Sequence, residues 1–424
     1  MKLIVRNFAK IKEADITLDG ITVIAGRNNT GKSTIGKILY SMYNATNDLE
    51  QKMETIRKSR IHKLLRQTHM ERIYSPFLGD MADTILKAQN ENEENEILER
   101  LADHMLSKYD ESERASIVQE WYQGIQEIKG ISDESFIKAI LTNYFGDIFN
   151  EQLNNAEDRE KDAMVEVCTK NGKNRVIFKN DTCIEYSFEY ATTNNAVYID
   201  NPVFLDKLNN LDVMSNPKRY LSEQEYDLYV KLKGKKASAE ERAIDEIINE
   251  EKLKDILVVL DKAIPGDITY NQKYLYQTNR NKNGIDIRSL STGLKSFAML
   301  KQIIMNGSLN NKDAIILDEP EIHLHPEWQM VYAELIIVLQ EKFDFNIIIN
   351  THSSHFLETL DFYAQKYGSR QKCHYYLSKE LEGTCSFEEV TETPEKIYKQ
   401  LIDPSLLLSR EKEIWEDTHE QVLQ

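Results

Sequence analysis

Gly26-Arg27-Asn28-Asn29-Thr30-Gly31-Lys32-Ser33-Thr34 decides how this chain is read. The stretch follows an apolar run, Ile21 to Ala25, and precedes a segment with Ile35, Ile38, Leu39 and Met42 on one helical side. A strand, a glycine-containing loop and a helix in that order make a phosphate cradle. The glycines let the backbone curl so that successive N–H groups, and the positive end of the following helix, face phosphate oxygens. On this reading Gly26, Asn28, Asn29, Thr30, Gly31, Lys32, Ser33 and Thr34 bind a nucleotide. Lys32 reaches the β- and γ-phosphates, and the Ser33 hydroxyl ligates Mg²⁺. An ordinary glycine turn is the competing reading, and the flanking strand and helix weigh against it.

Three later stretches carry related chemistry. The run Ala314-Ile315-Ile316-Leu317 ends in Asp318-Glu319-Pro320. Buried parallel strands present their carboxyl ends to ligands, so Asp318 is placed to support Mg²⁺ and Glu319 to polarise an attacking water. Acidic strand ends are common, and the assignment gains its weight from the glycine loop. Leu290-Ser291-Thr292-Gly293-Leu294-Lys295-Ser296 opens a long apolar-faced helix, and by itself it reads as a plain N-cap. His352 follows an apolar strand at 346–349, in Asn350-Thr351-His352-Ser353-Ser354-His355. His323, His325, His352 and His355 make two short-spaced pairs that invite a zinc reading, but no cysteine joins them.

In their order along the chain, these motifs resemble the ABC-type ATPases of the structural-maintenance, RecF and OLD group. The resemblance covers residues 1–46 and 270–360. The segment D-E-P-E-I-H-L-H-P at 318–326 looks particularly like the OLD-type and related bacterial anti-phage defence ATPases. It implies an α/β head with a mixed sheet, an antiparallel β subdomain and helical insertions. It also implies ATP and Mg²⁺ as cofactors, and a homodimer or higher homo-oligomer. In that arrangement Ser291, Thr292 and Gly293 of one copy complete the ATP site of the other. Glu319 becomes the catalytic base, His352 the switch histidine, Ser33 and Asp318 the Mg²⁺ ligands, and residues 321–325 the loop joining the two sites. Thr292 stands where many members have glycine. The family's glutamine loop has no clear position, Asn201-Pro202 marking only a candidate region, and Arg6-Asn7-Phe8 resembles the family's opening strand.

The whole chain sets wider limits. Its 424 residues allow one large domain or two ordinary ones, and 41% hydrophobic with 29% charged residues suits a globular protein. No apolar run is long enough for a bilayer span, and Met1 to Val5 lack a secretory signal. Cys168, Cys183, Cys373 and Cys385 form no C-x-x-C pair, so a cytoplasmic protein without membrane contact is expected. A net charge of −17 argues against a DNA-coating surface. A local patch remains open, since Lys52, Arg57, Lys58, Arg60, Lys63, Arg66 and Arg72 face only Glu54 and Glu71; a solvated helix face is the favoured reading of them.

The expected organisation is an ATPase lobe from 1–47 and 160–213, a helical insertion at 48–159, a helical segment at 214–265, and a second lobe at 266–424. Asn171-Gly172 and Asn180-Asp181 mark hairpin turns between alternating strands. Beyond His352 a strand at Tyr375-Tyr376-Leu377 and helices are expected, without a Toprim or H-N-H pattern. The resulting expectation is an ATP-hydrolysing sensor or motor of a defence system, working through a separate effector such as a nuclease. A RecF-like DNA-repair ATPase, binding nucleic acid across paired heads, is the alternative.

Overall fold

The computed structural model describes residues 1–67, 75–234, 253–401, 409–412 and 415. Two units divide the chain, one of residues 1–47 with 142–424 and one of residues 48–141. The larger unit opens with β1 (Lys2–Phe8), β2 (Ile11–Thr17), β3 (Ile21–Ala25) and α1 (Lys32–Thr46). The chain then runs through α2 (Leu49–Gln67), α3 (Ser75–Lys87), α4 (Glu91–Met105), α5 (Glu111–Gly130) and α6 (Asp133–Phe149). It returns as β4 (Ala163–Thr169), β5 (Gly172–Lys179), β6 (Thr182–Phe188) and β7 (Ala196–Ile199), followed by α7 (Glu223–Lys233). The hairpin β8 (Asp267–Asn271) and β9 (Lys273–Gln277), with the short β10 (Ile285–Asp286), leads into α8 (Thr292–Met305). Last come β11 (Ala314–Asp318), α9 (Pro326–Phe343), β12 (Asn346–Thr351), α10 (Ser354–Lys366), β13 (Cys373–Leu381) and β14 (Thr384–Glu389).

An 11-stranded mixed sheet organises this unit, in the order β6-β5-β4-β1-β2-β14-β13-β3-β12-β11-β7. The parallel end, from β13 to β7, contains the apolar runs legible in the sequence. Every residue of β3 and β7 is buried, as strands covered on both faces require. The other end is antiparallel, and its turns follow their sequence signals. Asn180 and Asp181 both take left-handed φ (50° and 59°), matching the turn type that hairpins favour. The expected mixed α/β fold is therefore present, with a second, three-stranded antiparallel sheet of β8, β9 and β10.

Several strands lie outside the sequence expectations. In β2, Ile11, Ala14 and Ile16 point inward, but Lys12, Glu13 and Asp15 break the alternation. The β8–β9 hairpin carries tyrosines rather than aliphatic residues, and β14 pairs back on β13 where helices were expected. Residues 142–159, expected within the helical insertion, belong to the larger unit. The reason is aromatic packing at the end of α6. Phe149 lies 4.9 Å from Phe8, and Phe145 lies 4.9 Å from Phe178, all between ring centroids.

In the smaller unit, Trp121 is fully buried among Ile61, Leu65, Leu98 and Leu101. Asp110 and Glu113 form a capping box that starts α5. Two basic residues of α2, Arg57 and Lys58, form ion pairs within this unit. Arg57 pairs with Asp133 at 2.7 Å and lies over the Phe136 ring, and Lys58 pairs with Asp83. Arg72 lies outside the described residues. No helix among the described residues is long and apolar enough to cross a membrane.

Phe178 is wholly buried where sheet and α6 meet. Phe178→Ala is expected to cost about 3–5 kcal/mol of stability, read as a lowered midpoint in guanidinium unfolding followed by circular dichroism.

Candidate active site

The glycine loop joins β3 to α1, and its shape is forced from behind. Gly26 has φ 152°, and a Cβ there would stand 2.2 Å from Ser378 Oγ and 2.8 Å from Ser378 O. Only a residue without a side chain passes this point of β13. Asn29 (φ 65°) and Gly31 (φ 81°) complete the curl in left-handed conformations. Thr30 is buried and its hydroxyl binds Ser378 Oγ at 2.6 Å, while Asn28 and Asn29 stay exposed at the loop tip.

Lys32 and Ser33 begin α1, with Thr34 next in its first turn. Lys32 is buried, and its Nζ donates to Gly26 O at 3.0 Å and Arg27 O at 2.9 Å. Burial pulls its ammonium below the usual lysine range, with Glu319, Asp318 and Glu321 acting in the opposite sense. Gly36 lets α1 lie directly on the sheet, since a Cβ there would meet Ile316 Cγ2 at 2.7 Å. That close approach brings Ser33 Oγ to 3.0 Å from Asp318 Oδ1.

Asp318 ends β11 and gathers three donors. Ser33 and Asn350 Nδ2 (2.9 Å) donate to Oδ1, and the Tyr198 hydroxyl donates to Oδ2 at 2.6 Å. Burial and the adjacent carboxylate push the Tyr198 phenol far up, so it remains a donor. Parallel register places Asn350 opposite Asp318, and Tyr198 opposite Ile316.

Glu319 follows in a left-handed conformation, φ 50°, that a non-glycine residue rarely adopts. Its N–H donates to Asn350 O at 2.9 Å, and its Oε1 lies 3.2 Å from His352 Nδ1. A cavity of about 40 Å³, room for one water, is bordered by Asp200, Ser296, Asp318, Glu319 and His323.

Ser291, Thr292 and Gly293 stand apart from this cluster. Ser291 is exposed, and its Oγ accepts the Leu294 N–H at 3.4 Å as the N-cap of α8. Thr292 O accepts the Ser296 hydroxyl, and Gly293 packs on the turn after β11. Among the described residues no hydrogen bond joins these three to residues 26–34. His323 and His325 are exposed, and no group of three or more His, Cys, Asp or Glu among the described residues is placed to hold a metal ion by itself.

The turn at Asp200-Asn201-Pro202 follows β7, beside β11 and at the same end as Asp318. It holds no glutamine. Desolvation raises the Asp200 carboxyl, Lys37 opposes that, and Asp318 adds to it. Gln224, on α7, lines a cleft with Asp200 and Asn201.

The chain that builds this loop and the acid strand end beside it matches one family over most of its length. The model of the AAA ATPase domain family covers residues 1–357. The chain belongs to that family. No curated protein matches this ATPase. Among solved structures it is similar to the SMC head domain from Thermotoga maritima, at 9% identity over 92% of this chain and 98% of that one, with a TM-score of 0.38. It is also similar to the Smc head domain with an extended coiled coil, bound to the C-terminal domain of ScpA, from Pyrococcus furiosus; identity is 13%, coverage 94% and 98%, TM-score 0.39. An ATP-binding cassette of an ABC transporter in its ADP conformation is similar at 12% identity, 96% and 97% coverage, and TM-score 0.34. Membership of the family rests on the match over residues 1–357.

Tyr198, Asn350 and Ser378 had no role in the sequence reading. Asn350 carried a faint signal, as the polar residue closing an apolar strand. Tyr198 and Ser378 carried none, because their importance comes from sheet order.

Gly26→Ala meets Ser378 at two atoms and strains the backbone by about 1–3 kcal/mol. Titration with a fluorescent ATP analogue is expected to show affinity lowered on the order of tenfold or more.

Proposed function

We propose that this AAA-family ATPase is an ABC-type head that hydrolyses ATP in a site completed by a second copy of itself. The observation carrying this reading is the separation of two sets of residues. Lys32, Ser33, Asp318, Glu319 and His352 converge at the carboxyl ends of β3, β11 and β12. Ser291, Thr292 and Gly293 are outside that cluster, with Ser291 exposed at a helix start. A helix N-terminus with an exposed serine is suited to a phosphate that its own chain does not supply.

Ser33 and Asp318 fit Mg²⁺, since a hydroxyl and a carboxylate already sit 3.0 Å apart and Tyr198 and Asn350 fix the carboxylate plane. Ser33 and Asp318 would hold the ion, which would supply charge neutralisation for the triphosphate. Lys32 exchanges its loop carbonyls for phosphate oxygens. Glu319 orients a water and holds its proton, and His352 keeps the Glu319 carboxylate aimed. Transfer proceeds by positioning and charge neutralisation, with no covalent intermediate on the protein.

We further propose that the head times a separate effector in bacterial anti-phage defence. Support for this step is the resemblance of residues 318–326. The DNA-repair alternative is weakened, because Arg57 and Lys58 of the basic stretch are paired within their own unit.

Lys32→Ala is expected to abolish ATP binding. Glu319→Gln should keep binding, lower turnover on the order of 10²- to 10⁴-fold, and accumulate a dimer visible by light scattering. A Gln variant that stays monomeric at saturating ATP refutes the two-copy site. For the effector, affinity purification from the native operon is expected to recover a neighbouring gene product. Phage protection by this protein alone refutes a separate effector.

A further inference from the structure

Glu321 is the acid that the proposed chemistry leaves unused. It begins the turn after Glu319-Pro320 and is 3% exposed. Its Oε1 accepts the Thr351 hydroxyl at 2.5 Å and the His352 N–H at 3.3 Å. Its Oε2 is buried without a partner, and burial pushes its carboxyl above the usual glutamate range. A buried, half-satisfied carboxyl is a destabilising choice where an apolar side chain would fill the space. What it gains is a direct grip on the backbone of His352, the residue that faces Glu319.

The turn it starts is held on its other side as well. Ile322 N–H donates to Glu319 O, and Leu324 N–H to Glu321 O, at 3.2 and 3.0 Å. Gln329 Nε2 donates to Glu321 O and Leu324 O. The start of α8 rests on this turn so tightly that a Cβ on Gly293 would lie 2.9 Å from His323 O and 3.2 Å from the Trp328 ring. A shift of the Ser291–Gly293 surface therefore presses on the turn carrying Glu321.

We infer that Glu321 is a positioning residue, fixing His352 against Glu319 through Thr351 and the His352 backbone. The inference rests on the roles proposed above for Glu319 and His352, but not on the two-copy site.

The test uses the full chain with Glu321→Ala, Glu321→Gln and Thr351→Val. Glu321→Ala is expected to lower kcat on the order of 10- to 100-fold, with ATP affinity and thermal melting close to wild type. Glu321→Gln keeps an oxygen for both donors and should recover kcat to within about threefold of wild type. Thr351→Val, which removes one donor without changing shape, should lose part of kcat and show a non-additive double mutant with Glu321→Ala. Wild-type kcat in Glu321→Ala, or equal damage from Gln and Ala, overturns the positioning role. Should Glu321→Ala not fold, wild-type kcat in Thr351→Val overturns it instead. Dimer trapping by Glu319→Gln, measured in parallel, reports on the two-copy reading separately.

Discussion

Asp318 is the point on which the site depends, because donors from three elements meet on one carboxylate. Ser33 comes from α1, Asn350 from β12 and Tyr198 from β7. Hydrogen bonds to a charged group contribute about 1.5–3 kcal/mol each, and together they offset the cost of a carboxylate with no cation in contact. The geometric consequence outweighs the energetic one. Each bond fixes a separate element relative to the end of β11, so the glycine loop, the acid pair and the histidine strand share one reference point. Gly36 makes this possible by letting α1 rest on Ile316 without an intervening side chain.

The same region accepts backbone strain. Glu319 holds φ 50°, a conformation that costs a non-glycine residue about 1–3 kcal/mol. Its N–H bond to Asn350 O keeps it there, and the reward is a side chain turned toward His352 rather than along the strand. Gly26 and Gly293 solve the converse problem, where two backbones come too close for any side chain. One lets the loop pass Ser378, and the other seats α8 on the turn after β11.

This division explains what could be read from the residues alone. Buried parallel strands advertise themselves as apolar runs, so β3, β11 and β12 were legible to within a residue or two of their ends. The glycine loop was legible because its spacing is dictated by phosphate geometry. β2 and the β8–β9 hairpin were not, since charged or tyrosine-rich strands gain their stability from neighbours that sequence order does not reveal. The same holds for Tyr198: its hydroxyl matters only because β7 lies beside β11, a strand far later in the chain. Helix α6 hid its boundary for a related reason, as one continuous helix serves the smaller unit with Phe136 and the larger with Phe145.

 

Ala314 follows Ile199 by 115 residues and its register partner Ala196 by 118, so α7, the β8–β10 sheet and α8 intervene between the two strands whose pairing completes the site. What that pairing assembles in one chain is a site rich in acids. Asp318, Glu319 and Glu321 all act on Lys32, and Asp200 feels Asp318, with Lys37 beside it as the opposing cation. Four carboxyls against two ammonium groups is a poor field for a nucleotide triphosphate. Backbone N–H groups of the glycine loop reduce the deficit, and on the proposed function a divalent cation held by Ser33 and Asp318 would reduce it further. On the same proposal, the exposed Ser291 at the start of α8 of a second copy would bring one more donor to a triphosphate that this acidic field disfavours.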